Sequence, residues 1–174
     1  MTNAIYLATI EPYTGKSLVS LGLVEMILRK TPRVGVFRPV IRGSRERRDK
    51  NIDLLLAHYN LDQDYHDTYA FTRTEAAYLI SHGRYDEALD KVIQNYKALE
   101  EDYDFILVIG TDLEGVGALF EYDINADIAR NLGTPVLLVG TAANREIETV
   151  VSTVSLSVDH YLDRGCQIIG TIIN

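Results

Sequence analysis

The 174-residue sequence has one cysteine, four prolines and no tryptophan, and only 17 Lys and Arg stand against 25 Asp and Glu. A single thiol, Cys166, cannot close an internal disulfide, so the chain reads as a protein of a reducing, cytoplasmic compartment. The net charge of −8 argues against a sequence-independent nucleic-acid binder, because neutralising phosphates takes a surplus of Lys and Arg. Apolar runs such as Phe105–Ile109 are far shorter than the roughly 20 residues that cross a bilayer. No basic stretch leads into an apolar signal core at the N-terminus. Nucleic acid and membrane are therefore not expected partners. The four histidines, His58, His66, His82 and His160, lack spacing of the His-Glu-x-x-His kind, and no zinc site is expected from them.

What is present is an ordinary globular composition, 47% apolar and 24% charged, at a length that suits one domain over residues 1–174. Short β-branched runs alternate with helical patterns. Strands are expected over 4–9, 34–38, 105–109, 135–140 and 167–174. Helices are expected over 16–30, 51–59, 72–83, 85–101, 125–132 and 146–162. Thr72-Arg-Thr-Glu75 has the spacing of a capping box. Phe105-Ile-Leu-Val-Ile109 is apolar at every position, as in the centre of a parallel sheet. Strands separated by helices predict an α/β fold, doubly wound around a mostly parallel sheet of five or more strands. The chain stops on its last apolar strand, which leads us to expect the N-terminal domain of something longer.

Thr14-Gly-Lys-Ser17 lies between the first strand and the first helix. Amides at a helix N-terminus converge there, and the helix dipole favours an anion. Gly15 lets the backbone approach a phosphate, Lys16 can reach its oxygens, and Ser17 can hold Mg²⁺. The motif is incomplete, because Ile10 stands where a P-loop has its first glycine and Pro12 removes an amide from the cradle. Two readings stay open: a competent nucleotide site for ATP with Mg²⁺, and a scaffold whose nucleotide affinity is weak or lost.

At these residues the chain resembles the dethiobiotin synthetase-type branch of P-loop NTPase-like proteins, whose loop reads Gly-Thr-Asp-Thr-x-Val-Gly-Lys-Thr. Thr9-Ile-Glu-Pro-Tyr-Thr-Gly-Lys-Ser17 then puts Glu11 at the loop acid, with Thr14, Gly15, Lys16 and Ser17 in the cradle. Val36-Phe-Arg-Pro-Val40 resembles the branch's Tyr-Lys-Pro-Val segment with Arg38 for its lysine. Gly170-Thr-Ile-Ile-Asn174 resembles a strand whose asparagine reads adenine. Within that branch, Lys16–Gly22, Val36–Val40 and above all Phe120–Val139, with its Asp-Ile-Asn-Ala segment, are similar to the N-terminal domain of long-form bacterial phosphate acetyltransferases. That resemblance implies a regulatory and assembly domain whose partners are the chain's own C-terminal catalytic domains, in a homo-oligomer open to a small-molecule effector. The acetyl transfer between acetyl-CoA and phosphate would be catalysed outside this segment. A dethiobiotin synthetase-type ATP-dependent ligase or NTPase is the alternative.

The third strand departs from the synthetase pattern. A Val-Glu-Gly there would place a glutamate beside Mg²⁺, but Val108-Ile109-Gly110 offers hydrocarbon, which cannot ligate a hard cation. Asp112, or Glu114, is the substitute metal ligand to consider with Ser17. Arg42, Arg45, Arg47, Arg48 and Lys50 cluster after the second strand, either near an anion or as a solvated loop. Arg38, at the strand end, is the better anion contact, or else pairs with a carboxylate. Cys166 reads as a packed thiol. Tyr59, Tyr65, Tyr69, Tyr78, Tyr85 and Tyr96 concentrate in the helical middle, where interface and ordinary packing both fit.

Overall fold

The computed structural model describes residues 3–42, 47–111 and 118–174, with the side chains of 118–122 left aside. Strand β1 (Asn3–Thr9) leads into helix α1 (Lys16–Leu28), β2 (Val34–Phe37), the two-residue β3 (Val40–Ile41) and α2 (Lys50–Tyr59). A short 3₁₀ turn (Tyr65–Thr68) precedes β4 (Phe71–Thr72), α3 (Arg73–Ser81) and α4 (Tyr85–Asp102). Strand β5 (Phe105–Ile109), α5 (Ala118–Leu132), β6 (Val136–Gly140), α6 (Ile147–Asp163) and β7 (Ile168–Ile173) follow.

Five strands form one sheet in the order β2-β5-β1-β6-β7. Every pair in it is parallel, with Tyr6 opposite Val108 and Val136. From the central β1 the chain passes to the edge strand β2, returns to β5 between them, and then crosses to β6 and β7 on the other side, the doubly wound arrangement expected. Two cores confirm that both faces are covered. On one, Tyr6, Ala8, Ile106, Val108 and Leu138 meet Val92 and Tyr96 of α4, Ile128 of α5 and Tyr161 of α6. On the other, Leu7, Val36, Leu107 and Ile109 meet Val24 of α1 and Ile52 and Leu55 of α2. Alternation along each strand sends neighbouring residues to opposite cores, which is why β5 is apolar throughout.

The capping box is present: the Thr72 hydroxyl accepts from the Glu75 N–H, and the Glu75 carboxylate accepts from the Thr72 N–H at 2.9 Å. Pro39 was expected to end the second strand, but the chain resumes at once in β3, paired with β4. Such two-residue strands carry no periodicity to read. Helix α5 begins at Ala118, well before the expected Asn125, since Ala118–Ile124 contains no glycine or proline to oppose a helix. Cys166 is buried, its thiol donates to the Ala126 carbonyl at 3.3 Å, and burial pushes its pKa up. Among the described residues no helix is long and apolar enough to cross a membrane.

Gly35 marks where β2 needs the smallest side chain. A Cβ there would lie 2.8 Å from the Tyr103 ring. We expect Gly35→Ala to lower the unfolding free energy by about 1–3 kcal/mol, measured by urea denaturation. A variant as stable as the parent would show that Tyr103 moves aside freely.

Candidate functional site, the phosphate loop at the end of β1

Helix α1 starts from Gly15, whose φ of 79° lies in the left-handed region. An L-residue pays about 1–2 kcal/mol there. No side chain caps α1, so the first-turn amides that lack helical partners face the loop. Tyr13, 90% exposed, also has a positive φ, 61°, and strained non-glycine residues of this kind concentrate at ligand clamps. Three buried threonine hydroxyls, those of Thr9, Thr14 and Thr111, have no hydrogen-bond partner among the described residues. Thr9 ends β1, Thr14 is in the loop and Thr111 follows β5. Leaving a buried hydroxyl unsatisfied costs about 1–3 kcal/mol, so this concentration at the carboxyl ends of two central strands is the signature of a place built for polar contents.

Lys16 is buried, and its Nζ donates to the Gly110 carbonyl at 2.7 Å. The ammonium therefore spans from α1 to the exit of β5. Ser17 Oγ donates to Asn51 Oδ1 at 2.7 Å, bringing the N-termini of α1 and α2 together. Asn174, at the end of β7, lies over Gly15: its Nδ2 donates to the Thr14 carbonyl at 3.4 Å and would be 2.6 Å from a Cβ on Gly15. Glu11 pairs with Arg145 and accepts from the Thr141 N–H, tying the loop to the segment after β6. Glu11, Thr14, Gly15, Lys16, Ser17 and Asn174 are thus gathered around one bend, where carboxyl ends of parallel strands receive ligands.

Arg38 stands apart from that group. It is fully buried and its guanidinium bonds both Asp49 oxygens, at 3.0 and 2.9 Å. Asp49 also caps α2 through the N–H groups of Asn51 and Ile52 and accepts from the Arg42 N–H. The pairing alternative therefore describes Arg38 in this structure. Of the basic cluster, Arg48 pairs with Asp53 and rests 4.4 Å over the Tyr65 ring, while Arg45, Asp112 and Glu114 lie outside the described residues. Ile109 is fully buried in the α1-side core.

Sequence reasoning missed Asn51, Asp49, Tyr6 and Asn125. Asn51 and Asp49 follow a run of charge that hides them. Asn125 belongs to the Asp-Ile-Asn-Ala segment, whose specificity was visible but not its purpose. Asn125 Oδ1 accepts from the Thr111 N–H at 2.9 Å and from the Tyr6 hydroxyl at 2.7 Å, and its Nδ2 donates to the Thr111 carbonyl at 3.2 Å. Burial pushes the Tyr6 phenol far up, so it remains a donor across the ordinary pH range.

A phosphate group fits these residues, given the uncapped α1 and the Thr14 hydroxyl that lacks a partner among the described residues. Of the two expected Mg²⁺ ligands, Ser17 is described and Asp112 lies outside the described residues. Ser17 and Asn51 offer two neutral oxygens, and no group of three or more His, Cys, Asp or Glu among the described residues could hold a metal ion. No step is assigned to the metal here.

Strand, phosphate loop and helix in this order define a P-loop domain, and the chain belongs to the AAA_26 family of AAA domains, whose model matches residues 3–174. Solved P-loop structures share the fold. The kinase domain of Escherichia coli tyrosine kinase ETK superposes with a TM-score of 0.61 at 20% identity, over 99% of this chain and 67% of that one. The GDP complex of the signal recognition particle 54 kDa protein from Aeropyrum pernix gives 0.60 at 12%, over 99% and 42%. More particularly, the chain is 39% identical over 175 residues to phosphate acetyltransferases of Nitratidesulfovibrio vulgaris and Synechocystis. Those matches cover 100% of this chain and 25% of each relative, corresponding to their N-terminal region. The chain therefore spans about a quarter of these relatives. It is also 27% identical to the dethiobiotin synthetase of Methanocaldococcus jannaschii, over 98% of this chain and 78% of that one.

Removing Arg38 leaves Asp49 charged in a dry setting. Arg38→Ala should cost about 3–5 kcal/mol by chemical denaturation, and Arg38→Met with Asp49→Asn should recover part of it, because the asparagine oxygen keeps the cap of α2 without a charge. Full stability of Arg38→Ala alone would show that water reaches Asp49.

Proposed function

We propose that this domain is the non-catalytic N-terminal module of a cytoplasmic phosphate acetyltransferase, regulating its acetyl-transferring domains and helping to assemble the homo-oligomer. The whole-length similarity to a quarter of such enzymes carries this reading. The parent reaction, acetyl-CoA and phosphate to acetyl phosphate and CoA, would take place in the remaining part of the chain. The phosphate loop supplies the effector site. Its ligand is a nucleotide or another polyphosphate, held by the α1 amides, Lys16 and the loop threonines, with weak affinity because Ile10 and Pro12 reduce the cradle.

The likeness to dethiobiotin synthetase favours one second reading, an ATP-dependent ligase. Ile109 opposes it. Buried hydrocarbon stands at the position where the resemblance would put a glutamate beside Mg²⁺.

Calorimetric titration separates these readings. ADP, ATP with Mg²⁺ and pyrophosphate should each bind weakly, and Lys16→Ala should weaken the binding at least tenfold, about 1.4 kcal/mol. In a full-length enzyme the same substitution should abolish any effect of nucleotide on acetyl transfer while leaving basal transfer intact. Equal binding by wild type and Lys16→Ala would refute the loop assignment. ATP hydrolysis that Lys16→Ala abolishes would establish the ligase or NTPase reading instead.

A further inference from the structure

The polar groups beneath the phosphate loop form a continuous chain. Tyr6 comes from β1 and Asn125 from α5, two elements 119 residues apart in sequence that are joined by a 2.7 Å hydrogen bond in the interior. Asn125 is 2% exposed and Tyr6 fully buried. Asn125 engages both the N–H and the carbonyl of Thr111, so one side-chain amide fixes one main-chain peptide unit on each side. The residue before it, Gly110, donates its N–H to the Leu7 carbonyl at 2.9 Å and offers its own carbonyl to Lys16 Nζ. A Cβ on Gly110 would lie 2.9 Å from Asn125 Oδ1 and 3.0 Å from Tyr6 Cε1, so the main chain is drawn close against this pair.

We propose that Asn125, backed by Tyr6, is a positioning residue for the phosphate loop. It fixes Thr111 and thereby sets the Gly110 carbonyl on which the Lys16 ammonium rests. The proposal extends the reading of the loop as a polyphosphate site, since Lys16 is the cation that site would use. Its physical basis is reach. A lysine has four rotatable bonds and holds one direction only where a fixed acceptor meets it. The ladder to β1 reaches Gly110 through its N–H bond to Leu7, and one residue further on the Asn125 side chain takes over by clamping Thr111. A buried amide can do this without introducing charge, provided all its hydrogen bonds are made. The Tyr6 hydroxyl fills the second acceptor position of Oδ1, donating to the oxygen already facing Thr111.

The test reads the resting place of Lys16 directly and requires no ligand. Amine labelling of the folded domain, followed by mass spectrometry, gives the rate at each lysine, with exposed Lys30 and Lys97 as internal references. Asn125→Ala should speed labelling of Lys16 at least tenfold over those references, with amide exchange of β1 and β6 unchanged. Tyr6→Phe keeps the ring and the Thr111 clamp but removes one donor, and should raise the rate two- to threefold. It also keeps the proposal testable where Asn125→Ala folds poorly. Lys16 labelled at the wild-type rate in either folded variant would overturn the proposal. Failure of wild type to bind pyrophosphate would instead count against the effector site and leave the labelling result standing.

Discussion

The contact between the Lys16 ammonium and the Gly110 carbonyl, 2.7 Å long and buried, joins the loop after β1 to the exit of β5, and the surrounding arrangement depends on it. Both partners have to be delivered by neighbouring parallel strands in register, with Leu7 opposite Ile109. Both also need a helix behind them. Helix α1 carries the lysine from a left-handed glycine, while α5 supplies Asn125 to hold the acceptor. A sheet whose central strands were shifted by one residue would turn Leu7 and Ile109 to the other face and dissolve this junction.

Around it the domain separates two kinds of polar interaction. The Arg38–Asp49 pair serves the scaffold: it caps α2 and anchors the Arg42 N–H. The hydroxyls of Thr9, Thr14 and Thr111, with the uncapped start of α1, are open. Buried hydrogen-bonding capacity left unused is costly in a folded protein, and the presence of three such threonine hydroxyls at the carboxyl ends of β1 and β5 gives the ligand reading its physical content. The P-loop family membership and the likeness to phosphate acetyltransferases agree with that location.

Ile10 stands where the resemblance puts the first glycine of the loop. Ile10 is buried, and Gly140 opposite it is bare enough that a Cβ would lie 3.1 Å from the Ile10 side chain. Room that a P-loop glycine gives to a ligand is here occupied by a hydrocarbon packed into the sheet end. Glu11 is similarly turned to Arg145. At the edge of the loop Ile10 and Glu11 make internal contacts, and beneath it hydrogen bonds run from Lys16 to Gly110 and from Thr111 to Asn125.

Much of this was legible in the residues alone. Strand β5 reads as central because burial on both faces leaves no polar position. The Thr72–Glu75 capping box reads locally because its partners are three residues apart, and Gly15-Lys16-Ser17 between a strand and a helix marks the loop. Arg38, by contrast, had two possible destinies, and only folding brought Asp49 against it. Asn51 meets Ser17 across 34 residues and Asn125 meets Tyr6 across 119. Local hydrogen bonds and periodic burial leave their pattern along the chain, so sequence determined the elements, their order and the site of the loop. Which polar side chain satisfies which distant peptide leaves no such pattern, because it is decided by the register of β1 with β5 and the docking of α2 and α5 on the sheet.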